Sequence, residues 1–448
     1  MNYLKNKLFH LTSFLPKPIK HVLYRIKESE IGSKIANGAF WSILGSVISQ
    51  GLILFASIFI ARILGKSTYG EFSIIRSTLS MFAVFGGLGI GMTATKYVAE
   101  FKSKDKQKAG RIIGLSSLIS IFVGFIIAIS ILFLSPFISE KTINAPHLTN
   151  ELRISSFILL FITINGSQTG ILAGYESFKS IARISLISGI ITFPVQIVFT
   201  LLFGLTGAIW GYGFNYIILW FLNYRAVRSV SRKYKIKIDY KNSWQEHQVL
   251  INFSLPTVLS GLLVSPVMWI SNAILVNQPK GYEELAIFDI GNQWRNIILF
   301  IPAALGKIVL PLFSSSNNEI NKFNIILKIN IILNFIISLF FAVIISLFSS
   351  LIITAYGNDF YNGQSVIIIL ALSSVLISVN NVIGQSIAGI GKMWIGLFFN
   401  FIWAIFLIGF QLLFQSYNMG AIGMSLAYFI SYLVLTFIQY FYIKNNHK

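Results

Sequence analysis

The stretch from Trp41 to Glu100 most constrains what this chain can fold into: WSILGSVISQGLILFASIFIARILGKSTYGEFSIIRSTLSMFAVFGGLGIGMTATKYVAE. It holds two apolar runs, each long enough for a bilayer core that takes about 20 helical residues to cross. A short polar turn at Gly65–Thr68 joins them, and one charged residue, Arg76, lies inside the second run. The rest of the chain follows suit. Of 448 residues, 55% are hydrophobic and only 11% charged, with a mean hydropathy of +0.74, where soluble domains carry about 25% charged residues. So much apolar surface needs lipid around it. In hydrocarbon every backbone polar group must be bonded internally, which leaves helices or closed barrels. The runs are long and continuous, without the alternation over about ten residues of a barrel strand, so the chain reads as an all-α polytopic membrane protein.

Twelve spans are expected, over residues 35–64, 69–98, 109–135, 151–174, 180–204, 207–228, 248–277, 284–312, 323–350, 363–390, 393–415 and 420–443. Basic residues concentrate in cytoplasmic loops, and an N-in, C-in path puts 28 of the 35 Lys and Arg there, with five outside and two, Arg76 and Arg295, inside spans. The expected organisation is a basic cytoplasmic arm over 1–34, amphipathic over residues 3–15, then a six-span lobe over 35–228. A basic cytoplasmic loop over 229–247, a second six-span lobe over 248–443 and a tail over 444–448 complete it. The net charge of +20 is accounted for by this topology and by anionic headgroups, so no nucleic-acid partner is expected.

The lobes repeat. Tyr69-Gly70-Glu71-Phe72 returns as Leu285-Ala286-Ile287-Phe288, 216 residues on; Ala173-Gly174 as Ala388-Gly389, 215 on; and Gly207-Ala208-Ile209 as Gly420-Ala421-Ile422, 213 on. Six spans per copy give both copies the same orientation. This is the parallel-repeat layout of some transporters, which hold substrate between the halves near mid-membrane.

Polar residues inside the spans are the candidates for chemistry. Ser73, Arg76, Ser77 and Ser80 share one helical face, and the same offset gives Asp289, Asn292, Gln293 and Asn296 on span eight, with Arg295 beside them. Counting about 1.5 Å per residue, the two arginines lie roughly 10–17 Å in from the outer helix ends. A charge at that depth costs about 2.5–3.5 kcal/mol on insertion scales and usually faces a bundle interior or aqueous cavity. One reading is a polar cavity between the lobes, where Arg76 and Arg295 receive an anionic group, as the planar guanidinium fork suits phosphate, and Gln50 adds to the wall. The other is an Arg–Asp pair that locks helices together, with Asp289 as the acid. Asp289 is also the candidate to bind a coupling ion, H+ or Na+. Gly86, Gly87, Gly89 and Gly91 lie in a span without a strand or a GK[ST] ending, and so mark close helix packing and not a nucleotide loop. Five scattered histidines and no cysteine point to no metal site, no cofactor and no catalytic set.

The run ARILGKSTYGEF (61–72), a span ending GLGIGMTATKYVAEF (87–101), GILAGYESF (170–178) and GLTGAIWGY (204–212) resemble the signature of polysaccharide-type flippases. These belong to the multidrug/oligosaccharidyl-lipid/polysaccharide (MOP) exporter superfamily. The resemblance runs from about residue 34 to residue 442. It implies two pseudo-symmetric six-helix lobes in a MATE-like V in the bacterial cytoplasmic (inner) membrane, facing alternately inward and outward. The implied cargo is an undecaprenyl-diphosphate-linked oligosaccharide for O-antigen, capsule or a related polysaccharide, moved with H+, Na+ or membrane potential as candidate driving forces. Polysaccharide polymerase and chain-length machinery are the implied partners. Arg76 matches, in span and depth, an arginine that the related lipid II flippase uses near its substrate's pyrophosphate, and Arg295 matches a span-eight arginine there. The further span-one arginines of that enzyme have no counterpart, because Arg62 sits at the outer end. The competing readings are a cation-coupled multidrug exporter of the same superfamily, which needs a committed acidic residue, and a membrane polymerase or ligase, which needs a large charged outer loop.

Overall fold

Long helices account for almost every residue described in the computed structural model, which covers 30–87, 89–249, 263–315, 320–389 and 391–446. The elements are α1 (Glu30–Gly87), α2 (Ile90–Lys104), α3 (Lys106–Phe137), α4 (Thr149–Gly174), α5 (Phe178–Lys233), α6 (Val264–Val276), α7 (Gly281–Ser315), α8 (Ile320–Leu347), α9 (Ser349–Tyr356), α10 (Gln364–Gly389), α11 (Met393–Ser416) and α12 (Gly420–Asn446). No strand occurs among the described residues. Eight helices there are long and apolar enough to cross a bilayer. Two of the longest are not single rods. α1 breaks at Gly65 (φ 74°, ψ 170°) and α5 at Gly204 (φ 57°, ψ −133°), a left-handed region that glycine enters at little cost. Beyond the second break the chain folds back, so that a Cβ on Gly207 would lie 1.9 Å from the Phe199 carbonyl oxygen. The amphipathic arm expected over residues 3–15 lies outside the described residues, as does the first part of the seventh expected span.

Two departures from the expected spans have local causes. The span expected over 69–98 ends as a helix at Gly87, and α2 starts afresh after Gly89, whose φ of 64° is left-handed. Of the other glycines of that run, two pack closely: a Cβ on Gly86 would meet Thr163 Oγ1 at 2.5 Å, and one on Gly91 the Gly166 carbonyl at 2.7 Å; Gly87 does not, since nothing lies within 4 Å of a Cβ there. Likewise, the connection expected from residue 229 begins at Tyr234, because α5 continues to Lys233.

Helices α1–α5 pack against one another, and so do α6–α12; the two groups meet mainly through α1, against α6 and α7. One apolar core joins them at this seam, with Tyr69, Phe72 and Leu79 from α1 and Leu285, Phe288 and Ile298 from α7 all buried. Contacts between the groups gather at the end that the charge bias assigns to the outside. There Gly70 lies so close to α7 that a Cβ on it would be 1.9 Å from the Tyr282 carbonyl oxygen. Each group also reaches over the other. Arg62 Nε donates to the Ala355 carbonyl at 2.6 Å, Tyr282 Oη to Ile143 at 2.7 Å, and Asn277 Nδ2 to Thr142 at 2.8 Å. Lys66 and Glu283 are 3.7 Å apart.

Candidate functional site

The polar face predicted for α1 is built around Arg76, which lies two turns from the close approach at Gly70. Its Nη2 meets Asp289 Oδ2 of α7 at 2.5 Å. The same carboxylate oxygen accepts from Ser73 Oγ at 3.1 Å and Gln293 Nε2 at 2.9 Å, and Gln293 also donates to Tyr69 Oη at 2.8 Å. One oxygen of Asp289 thus gathers donors from both groups, Arg76 and Ser73 of α1 and Gln293 of α7. The pair therefore binds the groups together. It also supplies an electrostatic partner for an arginine that would otherwise be costly at that depth.

A cavity of about 230 Å³ lies on the other side of Arg76, wholly among the limbs of α1 and α5. Its lining comes from one group only, and Phe72, which lines it, also belongs to the apolar seam with Leu79 and Phe288. The cavity's polar lining comes from Ser49, Ser57, Thr192, Gln196, Tyr212, Asn215 and Tyr216, with Arg76. Much of it is preorganised. Asn215 Oδ1 accepts from Ser188 and Thr192 at 2.6 and 3.2 Å, and the hydroxyls of Tyr212 and Tyr216 are 3.0 Å apart. The guanidinium stacks 5.0 Å above the Phe72 ring, and its buried Nε has no partner. Among the described residues, no aspartate or glutamate lines this cavity. Its chemistry is a cation surrounded by hydroxyl and amide groups, which suits an anion or a polyhydroxylated group and offers an incoming cation no acidic side chain.

The remaining predicted residues are dispersed. Ser77 accepts from Asn272 Nδ2 at 2.7 Å and so ties α1 to α6. Ser80, Asn296 and Gln50 are exposed, and Ser49, one residue before Gln50, takes the place on the cavity wall. Asn292 has a buried Oδ1 without a partner. Arg295 is 6% exposed and stacks 5.1 Å over Tyr428. Its Nε and Nη1 are unpartnered, and among the described residues it has no ion-pair partner. Thus Arg76 and Arg295 occupy separate surroundings, one in each group.

Sequence reasoning overlooked the tyrosines. Tyr69, Tyr212 and Tyr216 complete the Arg76 site, and Tyr428 and Tyr432 surround Arg295. The signal was present as Tyr-x-x-x-Tyr in both the sixth and twelfth expected spans, a spacing that stacks both rings on one helical face.

Among the described residues, no cluster of three or more His, Asp or Glu could hold a metal ion.

Comparisons with known proteins bear on the whole chain. The family described as "Polysaccharide biosynthesis protein" matches residues 35–317. The EPS I polysaccharide export inner membrane protein EpsE of Ralstonia nicotianae is 22% identical over 420 residues, covering 89% of this chain and 92% of its own. An uncharacterized membrane protein, MJ1375 of Methanocaldococcus jannaschii, is 23% identical over 435 residues, covering 92% and 99%. Among solved structures, the inward-facing conformation of a multidrug resistance MATE family transporter of the MOP superfamily superposes with a TM-score of 0.72 at 16% identity, covering 91% of this chain and 98% of that one. A MOP superfamily transporter from Pyrococcus furiosus, reported with a reversed polarity of its binding pocket, gives 0.69 at 17%, covering 92% and 95%. At these identities the structures establish the fold: this is a multi-pass membrane protein with the architecture of MOP transporters.

Proposed function

The chain belongs to the family of polysaccharide biosynthesis proteins, and from that premise we propose that it is a flippase for lipid-linked oligosaccharides. Its place is the cytoplasmic (inner) membrane. Its cargo is an undecaprenyl-diphosphate-linked unit of O-antigen, capsule or a related polysaccharide, carried from the inner to the outer leaflet. In this reading the chain has twelve spans in two six-helix lobes, N-in and C-in, and the two limbs of α1 and of α5 each count as two crossings.

The observation that carries the proposal is the lining of the α1–α5 cavity: one arginine, hydroxyls and amides, and no carboxylate. The task is to move a diphosphate and its sugars through hydrocarbon. A guanidinium fork provides for the diphosphate by paired charge-assisted hydrogen bonds, and the hydroxyl and amide wall for the first sugar. A cation-coupled drug exporter needs the opposite polarity, and Asp289, the acid beside Arg76, is occupied by Arg76, Ser73 and Gln293.

The Arg76–Asp289 pair links cargo to conformation. With the outer contacts made, Asp289 occupies the donors that an incoming diphosphate would need. A diphosphate on Arg76 competes with Asp289, loosens the seam and favours outward opening by differential binding to the two states. Release of cargo outside restores the pair. Coupling to H+ or Na+ would act on Asp289 when it is freed in the open state.

The test is complementation of a flippase-deficient strain, scored by lipid-linked oligosaccharide accumulated inside and glycan at the surface. The wild-type chain restores surface glycan, and Arg76→Ala does not, although it is inserted at normal level. Normal glycan with Arg76→Ala refutes the assigned role of Arg76. Failure of the wild-type chain with several matched glycan systems refutes the cargo class.

A further inference from the structure

The connection between the two groups, residues 234–247, is an ordered strap held against α3. Gly110 and Gly114, one turn apart on α3, form the groove that receives it. A Cβ on Gly110 would lie 2.1 Å from the Lys237 carbonyl oxygen, and one on Gly114 2.0 Å from that of Asp239. The Asp239 amide donates to the Gly110 carbonyl at 3.2 Å. Ile236, 4% exposed, plugs into the apolar core of α2–α5. At the far end Glu246, 8% exposed, is clasped by Arg111 at 2.8 Å, with Lys108 at 4.0 Å.

We propose that this strap, with the end of α5 that leads into it, is a docking surface for the anionic phospholipid headgroups of the leaflet on which it lies. Both acids of the strap have partners within the fold, although Asp239 keeps its charge against three lysines. Glu246 is paired with α3, and the Asp239 carboxylate accepts from the Lys241 and Asn242 amides and from Asn242 Nδ2 at 3.0, 3.1 and 2.9 Å. The outward face is therefore cationic and aromatic. Lys235, Lys237 and Lys241 are exposed, and between them stand Tyr240 and Trp244, 44% and 65% exposed. The approach from α5 continues the pattern, with Arg225 stacked 4.4 Å over Phe221 and Arg228 4.5 Å over Tyr224.

Depth favours lipid over an acidic protein as the occupant. α3 has 32 residues and is about 48 Å long at 1.5 Å per residue, well beyond a hydrocarbon core of about 30 Å. Its charged first turns must extend into the headgroup layer, and the groove at Gly110 and Gly114 lies within them. The strap is thus at the level where tryptophan and tyrosine settle and where lysines feel the negative leaflet. The proposal rests only on the chain's position in the bilayer, so it stands or falls apart from the cargo assignment.

The sequence has no cysteine, so Gln245→Cys in the full chain creates one labelling site beside Trp244. A polarity-sensitive fluorophore there is read in nanodiscs of phosphatidylglycerol and of phosphatidylcholine. The expected result is a blue shift in phosphatidylglycerol only, reversed at about 1 M salt, where screening shortens the Debye length to about 3 Å. The shift is lost in the triple variant Lys235→Gln, Lys237→Gln, Lys241→Gln, whose melting temperature in detergent stays that of the parent. An identical spectrum in both lipids, whether buried or water-like, overturns the proposal, and so does a shift that survives the triple variant. A water-like label in both lipids would leave the surface to a soluble acidic partner.

Discussion

Gly70 lies at a close backbone contact between the two groups of helices, at the end that the charge bias assigns to the outside, and a side chain there should prevent the seal at that end from forming. In Gly70→Ala the new Cβ would lie 1.9 Å from the Tyr282 carbonyl oxygen, whereas real contacts of this kind hold 3.0 Å or more. The obstacle is backbone, so it cannot rotate away, and the groups must part by at least the difference, about 1.1 Å. A rigid shift of that size stretches the 2.7 Å bond from Tyr282 to Ile143 to about 3.8 Å, past the range of a hydrogen bond. The Asn277–Thr142 bond of 2.8 Å goes with it. Two such bonds at about 1 kcal/mol each amount to about 2 kcal/mol, or roughly thirtyfold in the equilibrium between sealed and open forms. Leucine in place of alanine removes the sealed form altogether.

The local helix is not weakened, since alanine favours helix over glycine by about 1 kcal/mol, so a change in the seal reports the contact itself. Spin labels at Lys141→Cys and Lys280→Cys, both exposed, give the distance across the outer face by pulsed EPR. Gly70→Ala should add a longer component, and Gly70→Leu should leave only that component and abolish transport. Gly87→Ala, where nothing lies within 4 Å of the added carbon, should match the parent. An unchanged distribution in Gly70→Leu, in correctly inserted protein, refutes the assignment of this contact as the seal.

Three further outcomes are expected. Asp289→Asn leaves Arg76 without its ion pair; because the two side chains are 16% and 18% exposed, the loss should fall below the about 3–5 kcal/mol of a fully buried pair, and it should appear as a lower melting temperature together with a wider outer distance. Gly170→Val puts a side chain where even a Cβ would be 2.1 Å from the Gly91 carbonyl, so it should separate α2 from α4 and lower the yield of folded protein, whereas Gly166→Ala, in open space, should be neutral. Hydrogen bonds from Asn242 hold the Asp239 carboxyl below the ordinary carboxylate range. Its contribution to holding the strap is therefore complete above that range and is lost only as pH falls through the depressed value; a nitroxide at Gln245→Cys should stay immobile from neutral pH down through the ordinary carboxylate range, and loosening within that range would contradict the assignment.

Periodicity and charge made the helices legible, because a membrane span shows itself in one dimension: the length of its apolar run. The breaks were legible only in part. Gly65 stood in an obvious polar turn and Gly204 at the boundary expected between 180–204 and 207–228, but Gly89 stood inside the span expected over 69–98, and its left-handed φ is not encoded by composition. The polar face of Ser73, Arg76, Asp289 and Gln293 could be read because helical spacing and the repeat offset both act along the chain. The location of the cavity could not. Whether Arg76 faces the seam or the interior of its own group depends on how α1 and α5 close on each other, and that is decided by contacts between residues more than a hundred positions apart. The strap was legible as a basic loop over 229–247 but its docking on α3 was not, because its anchors, Gly110 and Gly114, look like ordinary small residues until the chain that fills their groove is in place.

The repeat offset makes one last step possible. Ser73 and Asp289, 216 residues apart, are hydrogen-bonded to each other, as repeat-related positions can be when both lie near a shared twofold axis. Two further clasps between the groups stand at nearly the same offset, Arg62 and Ser57 with residues 354–356 and Asn277 and Tyr282 with residues 142–143. Under this relation Arg76–Asp289 maps onto Asn292–Ser73, which is uncharged, so a twofold frame carries its charged pair on one side only. Moving that pair across the axis separates the two tasks assigned to Arg76. The fourfold variant Arg76→Asn, Asn292→Arg, Ser73→Asp, Asp289→Ser keeps an ion pair at the seam but removes the guanidinium from the α1–α5 cavity. If Arg76 serves only as a latch, this variant should seal the outer face in the pulsed EPR assay and support surface glycan. If Arg76 receives the cargo's diphosphate, the outer face should seal while glycan is lost, and that is the outcome expected from a cavity with no second cation in its wall. Restored glycan in the sealed variant would refute the cargo role of Arg76 and leave it the latch alone.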